Sequence, residues 1–156
     1  MKKAIFKLAS RLILHPWFRL SRGMTLGVRV LVINQAGEIL LVRHTYAPGW
    51  LFPGGGVERG ETLAFSARRE LREEAGIVIE AGNAKLFAIY ANEKHFRGDH
   101  VALYVVRQFS QQPWKPDREI AAAQFFPSDA LPDGTTTGTR QRLAEVLDGA
   151  KIDQNW

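Results

Sequence analysis

The chain contains no cysteine, which excludes a disulfide framework and any cysteine-ligated zinc site. A cysteine-free chain suits a reducing compartment, and a cytoplasmic location is expected. No run of 18 apolar residues occurs, so no membrane-spanning helix is expected. The first 37 residues hold Lys2, Lys3, Lys7, Arg11, Arg19, Arg22 and Arg29 and no acid at all. Those cations outnumber the whole-chain net charge of +5, so the remainder is slightly acidic. A basic surplus suits an anionic substrate. The segment has few of the interleaved aromatics that single-stranded nucleic acid would stack on, so no specific nucleic-acid partner is expected. Internal repeats, low-complexity runs and interdomain linkers are also missing, and 156 residues suffice for one principal domain with a proper core.

Within residues 1–18, Ile5, Leu8, Ala9, Leu12 and Ile13 share one helical face, with Lys3, Lys7 and Arg11 largely elsewhere. Lys7 and Arg11 break the apolar run that a signal peptide needs. Three uses stay open for this stretch: packing on the domain or on a second subunit of a homodimer, weak attachment to an anionic membrane surface, or a disordered tail. The expected layout is a basic amphipathic segment over 1–22, a catalytic domain over 23–150 and a tail over 151–156.

The most informative feature of what is present is a crowd of carboxylates. Glu70, Glu73 and Glu74 fall within five positions. The spacing predicts a helix over 62–75, capped by Thr62 and closed by Gly76, with Leu63, Ala64, Ala67, Leu71 and Ala75 as the apolar stripe. On such a helix i, i+3 and i+4 share a face, and like charges that close destabilise it. A divalent cation converts that repulsion into binding, because Mg²⁺ prefers hard oxygen ligands. Arg69, four residues before Glu73, can pair with it or reach back to Glu61. Ahead of the helix, Gly54, Gly55 and Gly56 let a backbone approach a ligand closely, and carbonyls of such a loop can coordinate a metal.

Elsewhere, hydrophobic patterning predicts strands over 25–34, 38–43, 84–92, 100–109 and 120–127 and a terminal helix over 139–147. The first two strands are expected to form a hairpin around Gln35-Ala36-Gly37, and Ser110–Arg118 reads as a polar loop. The order β-β-α-β-β-β-α predicts an α/β fold with a mixed sheet between helical layers.

The stretch Gly55–Ile77 satisfies the pattern G-x5-E-x7-R-E-U-x-E-E-x-G-U, where U is aliphatic, at every fixed position over 23 residues. It resembles the Nudix box, and the chain resembles a small bacterial Nudix hydrolase. The resemblance implies an α/β/α sandwich with a central mixed sheet. It also implies hydrolysis of a nucleoside diphosphate linked to another moiety, with Mg²⁺ or Mn²⁺ as cofactor. By the same resemblance Glu73, Glu74 and the Gly54 carbonyl would hold the metal. Glu70 would be a ligand or the base that activates water, and Arg69 and Glu61 would brace loop and helix. Isopentenyl diphosphate isomerases share that fold but use a catalytic cysteine, which this chain lacks.

A further metal carboxylate is expected from outside the box. Glu119 is the first candidate, with Glu93 and Asp99 behind it. Arg43, Tyr46, Gly55 and Gly56 are candidates for substrate contact. Trp50 either stacks or packs, Phe52 and Trp114 read as packing residues, and His95 and His100 are weak candidates. Crowding and burial should raise the pKa of one glutamate, and Glu70 is the expected general base. A non-catalytic nucleotide-sensing module on the same fold is the alternative; intact metal carboxylates speak against it. The substrate motifs known for ADP-ribose, dinucleoside polyphosphate, NADH and coenzyme A types are missing or incomplete, so the nucleotide stays open.

Overall fold

The computed structural model describes residues 23–156; the expectations for the amphipathic stretch lie outside the described residues. Strand β1 (Thr25–Val32) alternates its side chains between two cores. Val28, Val30 and Val32 point to one, Leu31 to the other, and all four are buried. A strand covered on both faces reads as the near-continuous apolar run seen in the sequence. Strand β5 (Asp99–Val106) runs parallel to β1 and antiparallel to β4 (Lys85–Ala91), making a mixed sheet in the order β1-β5-β4. Strand β2 (Ile39–His44) pairs antiparallel with β7 (Ile120–Phe126). The two-residue strands β3 (Ile77–Val78) and β6 (Ser110–Gln111) pair with each other, so the expected polar loop begins as a strand.

Helix α1 (Leu63–Ala75) covers one core through Ala67, Leu71 and Ala75. Helix α2 (Thr137–Leu147) covers the other through Leu143. The result is the expected α/β/α sandwich. The caps of α1 are as read: the Thr62 hydroxyl accepts from the Phe65 N–H, and Gly76 closes the helix in the left-handed conformation. Ala64, placed on the apolar stripe, is instead exposed.

The expected hairpin between β1 and β2 closes only at its tip, where Asn34 and Glu38 hydrogen-bond and Ile33 bridges Ile39; the strands themselves do not pair further. The reason is that the free edge of β1 is occupied. Val28 and Val30 donate to the carbonyls of Gly55 and Pro53, both at 2.9 Å, and Val57 donates to Leu26, also at 2.9 Å. The glycine loop therefore lies along β1 as a substitute strand, which fixes it above α1. At the far end of β2, the pairing with β7 slips between Arg43 and His44. Such a bulge re-aims side chains beside it. It turns His44 inward and, through the Thr45 N–H on the Glu119 carbonyl at 2.9 Å, ties Glu119 next to it.

Candidate active site

Gly54 carries φ 141°, a conformation open mainly to glycine, and a Cβ there would sit 2.1 Å from the Val28 carbonyl oxygen. A Cβ on Gly55 would stand 2.7 Å from Glu70 Oε1. These two glycines let the loop press between β1 and α1, and they bring backbone onto the carboxylates. The Gly54 N–H donates to Glu74 Oε2 at 2.7 Å. The Gly54 carbonyl accepts from Arg29 Nη1 at 2.8 Å, and the Phe52 carbonyl accepts from the same nitrogen at 3.1 Å. A carbonyl oxygen has two lone pairs, so one remains on Gly54.

Arg69 organises the acids. Its Nε donates to Glu61 Oε1 at 2.9 Å, and Nη1 to Glu70 Oε1 at 2.6 Å and Glu73 Oε2 at 3.3 Å. Nη2 reaches the Gly56 carbonyl and Glu61 Oε2, both at 3.1 Å. Both alternatives read for Arg69 are thus realised at once, and its own pKa is raised, chiefly by Glu61. Glu61 also accepts from Ser66 Oγ at 2.5 Å. The hydrogen bond from Arg69, then that from Ser66, hold its carboxyl at about 2. Glu61 is fixed as an anion that clamps loop to helix.

Glu70 and Glu74 are different. Burial raises the pKa of Glu70 in spite of Arg69. Burial pushes Glu74 up to about 7, against the Gly54 N–H and the Arg29 charge, with Glu70 and Glu119 adding repulsion. His44 Nε2 stands 3.6 Å from Glu74 Oε1. Burial, then the field of Arg29, lower the His44 pKa, so at neutral pH the imidazole is uncharged and gives Glu74 no counterion. Glu73 is half-exposed, with 52% of its side chain open to solvent.

The charge of Glu119 is felt by Glu74, His44 and Tyr46, which puts this exposed acid on the site's rim. Tyr46 is 74% exposed and tilts against the His44 ring at 5.0 Å. Arg43 lies over the Trp50 ring at 5.3 Å, and Trp50 packs edge-on to Phe126 at 5.0 Å. Phe52 is fully buried in the core, as read. Trp114 donates to the Glu73 carbonyl at 2.9 Å and so anchors the end of α1. Glu93 and Asp99 are tied up locally: Glu93 accepts the Gly98 N–H, and Asp99 accepts from Thr25 and Asn92.

Two residues at the site escaped sequence reasoning, Arg29 and His44. Arg29 carried a signal, since a charged side chain in the middle of TLGVRVLV has to be paired or functional once that strand is buried. Its pKa is lowered by burial, and Glu74 is the foremost charge opposing that shift. His44 carried none.

As a donor set, the buried Glu74 carboxylate, short of positive charge and with Glu70 beside it, fits a hard divalent cation. Among the described residues, no three His, Asp or Glu side chains converge closely enough to hold one as they stand. Arg69 occupies part of that face.

The sequence model of the NUDIX domain matches residues 23–147. The chain belongs to the NUDIX family. A candidate 8-oxo-dGTP diphosphatase of Bacillus subtilis is 44% identical over 127 residues, covering 81% of this chain and 83% of its own. RNA pyrophosphohydrolases of Coxiella burnetii and Caulobacter vibrioides are 38% and 41% identical over 81 and 96 residues. Those matches cover 49% and 54% of this chain. The chain spans about a third to a half of the length of these two curated relatives, 36% and 52% respectively. Among solved structures, a MutT NUDIX hydrolase from Burkholderia pseudomallei superposes with a TM-score of 0.68 at 28% identity, covering 80% of this chain and 98% of that one. An ADP-ribose pyrophosphatase from Streptococcus suis shares the fold, with a TM-score of 0.67 at 24% identity over 86% of this chain and 97% of that one.

Proposed function

We propose that this NUDIX protein hydrolyses a phosphoanhydride bond in a nucleoside diphosphate derivative, with Mg²⁺ or Mn²⁺ as cofactor. The observation that carries the reading is Glu74, buried beneath the glycine loop beside Glu70 and without an ion-pair partner that is charged at neutral pH. Relatives named RNA pyrophosphohydrolase and 8-oxo-dGTP diphosphatase support the reaction class. Glu73, Glu74, Glu119 and the free lone pair of the Gly54 carbonyl are the ligands proposed for the metal, with Glu70 at their edge. Bound there, the cation would withdraw charge from phosphorus and acidify a water.

The chain's own residues do the rest. Glu70, whose pKa is raised by burial, is placed to take the proton of the attacking water. Arg69 and Glu61 hold the helix and loop in register, so the acids cannot relax apart. Arg29 ties the loop carbonyls to β1. The Gly55 and Gly56 backbone and the exposed Tyr46 line the approach for the substrate. Arg43 is proposed to meet phosphate, which requires it to lift from Trp50.

The test is a panel of nucleoside diphosphates and triphosphates, nucleotide sugars and 5′-triphosphorylated RNA, each with Mg²⁺ and with Mn²⁺, scored for phosphate and pyrophosphate release. Metal-dependent release from at least one class is expected. No release from any of them, by protein shown to be folded, removes the proposal.

A further inference from the structure

The two faces of β4 are treated differently. Toward α2, Phe87, Ala88 and Tyr90 pack into the core with Leu143 and Trp156. Toward α1, Leu86 and Ile89 stand beside Tyr104 and Ala102 of β5, and both of those belong to the core beneath α1. Leu86 and Ile89 therefore face the α1 layer, yet each is 50% exposed. The cause is placement: α1 lies over β1, β3 and β7, whereas β4 is the outermost strand of its sheet. A register slip between Leu86 and Ala88 puts Phe87 in the opposite core and keeps Leu86 and Ile89 on one face.

The bare strip continues across the sheet. In the next row of the same face, Leu26 of β1 pairs His100 of β5, which pairs Ala91 of β4. Leu26 is exposed, as is Met24 just ahead of it. Single exposed apolar side chains are ordinary. Leu26, Leu86 and Ile89 on one sheet face, beside a helical layer that stops short of them, mark a surface that another element can cover.

The chain enters the described structure at this strip, because Gly23 and Met24 lead directly into β1. Ahead of them, Ile5, Leu8, Ala9, Leu12 and Ile13 recur at the spacing of one helical face. As a helix, residues 5–13 would extend about 12 Å. Leu86 to Ile89 runs about 10 Å along β4. Residues 14–23 separate that apolar face from Met24. Crossing from β1 to β4 takes two strand spacings, about 10 Å, and those residues can span up to about 33 Å. A helix so short is marginal in water and needs an apolar surface to form on. We propose that the apolar face of residues 5–13 packs as a helix on Leu86 and Ile89 of the same molecule, extending the α1 layer over β4. Lys3, Lys7 and Arg11 then stay in water.

The experiment uses the full chain, whose lack of cysteine leaves no thiol background. Cysteine pairs are introduced and joined with a short bis-maleimide. Leu8→Cys or Leu12→Cys is combined with Ile89→Cys. The controls are Arg11→Cys with Ile89→Cys, and Leu12→Cys with Lys85→Cys, since Lys85 pairs Val105 on the other face of β4. Intrachain product from at least one test pair should exceed both controls by about tenfold or more. Independently, Ile89→Asp should speed tryptic cleavage after Lys3, Lys7 and Arg11 by about tenfold, with Lys85→Asp within about twofold of wild type. The proposal is overturned if the product is mainly a cross-linked dimer, which would make a second copy the occupant. It is overturned equally if test and control pairs react alike, or if Ile89→Asp leaves the cleavage rate unchanged. Loss of the intrachain product on adding phosphatidylglycerol vesicles, with the protein pelleting alongside them, would assign the segment to a membrane surface instead.

Discussion

Glu74 and Glu145 are both buried acids on helices, and the molecule treats them oppositely. Glu145 on α2 is saturated. It accepts from Arg142 Nη2 at 2.6 Å, from the Tyr90 hydroxyl at 2.7 Å and from the Asp153 N–H at 3.0 Å. Arg142 in turn holds the Asn155 carbonyl at 2.7 Å, so this cluster fastens residues 153–156 to the domain. Burial, and then the bond to Glu145, raise the Tyr90 pKa. Glu74 on α1 has one backbone N–H, the field of Arg29 without a bond to it, a neutral histidine at 3.6 Å and other acids around it. A buried charge that is fully bonded serves structure; one left short is a place where a cation can enter. The difference is legible as stability against function, and it can be tested on both sides.

The largest effect is expected at the saturated acid. Glu145→Ala strands Arg142 in the core and should cost about 3–5 kcal/mol. Thermal unfolding should fall by roughly 10 °C, and a shift of only a degree or two would mean that the cluster is ornamental. Next, Glu74→Gln keeps an acceptor for the Gly54 N–H but removes the charge. Steady-state kinetics should show at least about a 10²-fold loss of kcat. Near-full activity would remove Glu74 from the metal site.

A third prediction concerns pH. The folded pKa of Glu74, about 7, lies above its ordinary value of 4.5. The unfolded chain therefore releases this proton first as pH rises. The contribution is fully present below pH 4.5 and is lost as pH climbs through about 7. For metal-free protein the loss is on the order of 3 kcal/mol. Glu70, also raised, adds to it with the same sign. Glu61, held at about 2, titrates below this window and leaves it clear. Melting curves between pH 5 and 8 should thus slope downward in chelator. They should flatten with Mg²⁺ or Mn²⁺, and in Glu74→Gln they should lose most of the slope. A flat wild-type curve in chelator would show that Glu74 is not short of charge.

The smallest effect separates the regions most finely. Tyr90→Phe removes one hydrogen bond to Glu145 and should cost about 1 kcal/mol, while kcat stays within about twofold. A large drop in kcat with little change in melting would instead couple the saturated cluster to catalysis.

Much of this was readable from the chain. The α1 caps, its buried face, the two-sided burial of β1 and the crowding of three glutamates follow from local spacing, because helix and strand periods fix which side chains share a face. Arg69 reaching both Glu61 and Glu73 followed from the same spacing. The β1–β2 pairing was misread because hairpin chemistry is local, whereas the glycine loop that takes that edge competes from about 25 residues away.

Sequence by itself determined the family pattern, the carboxylate helix, the glycine loop and the absence of thiol chemistry, since each is a matter of residue type at fixed separation. Only the tertiary structure decided which acid is starved of charge and which is satisfied. It alone set His44 and Arg29 at the carboxylates. Burial and long-range proximity create those properties, and neither exists along the chain until strands far apart in sequence are brought side by side.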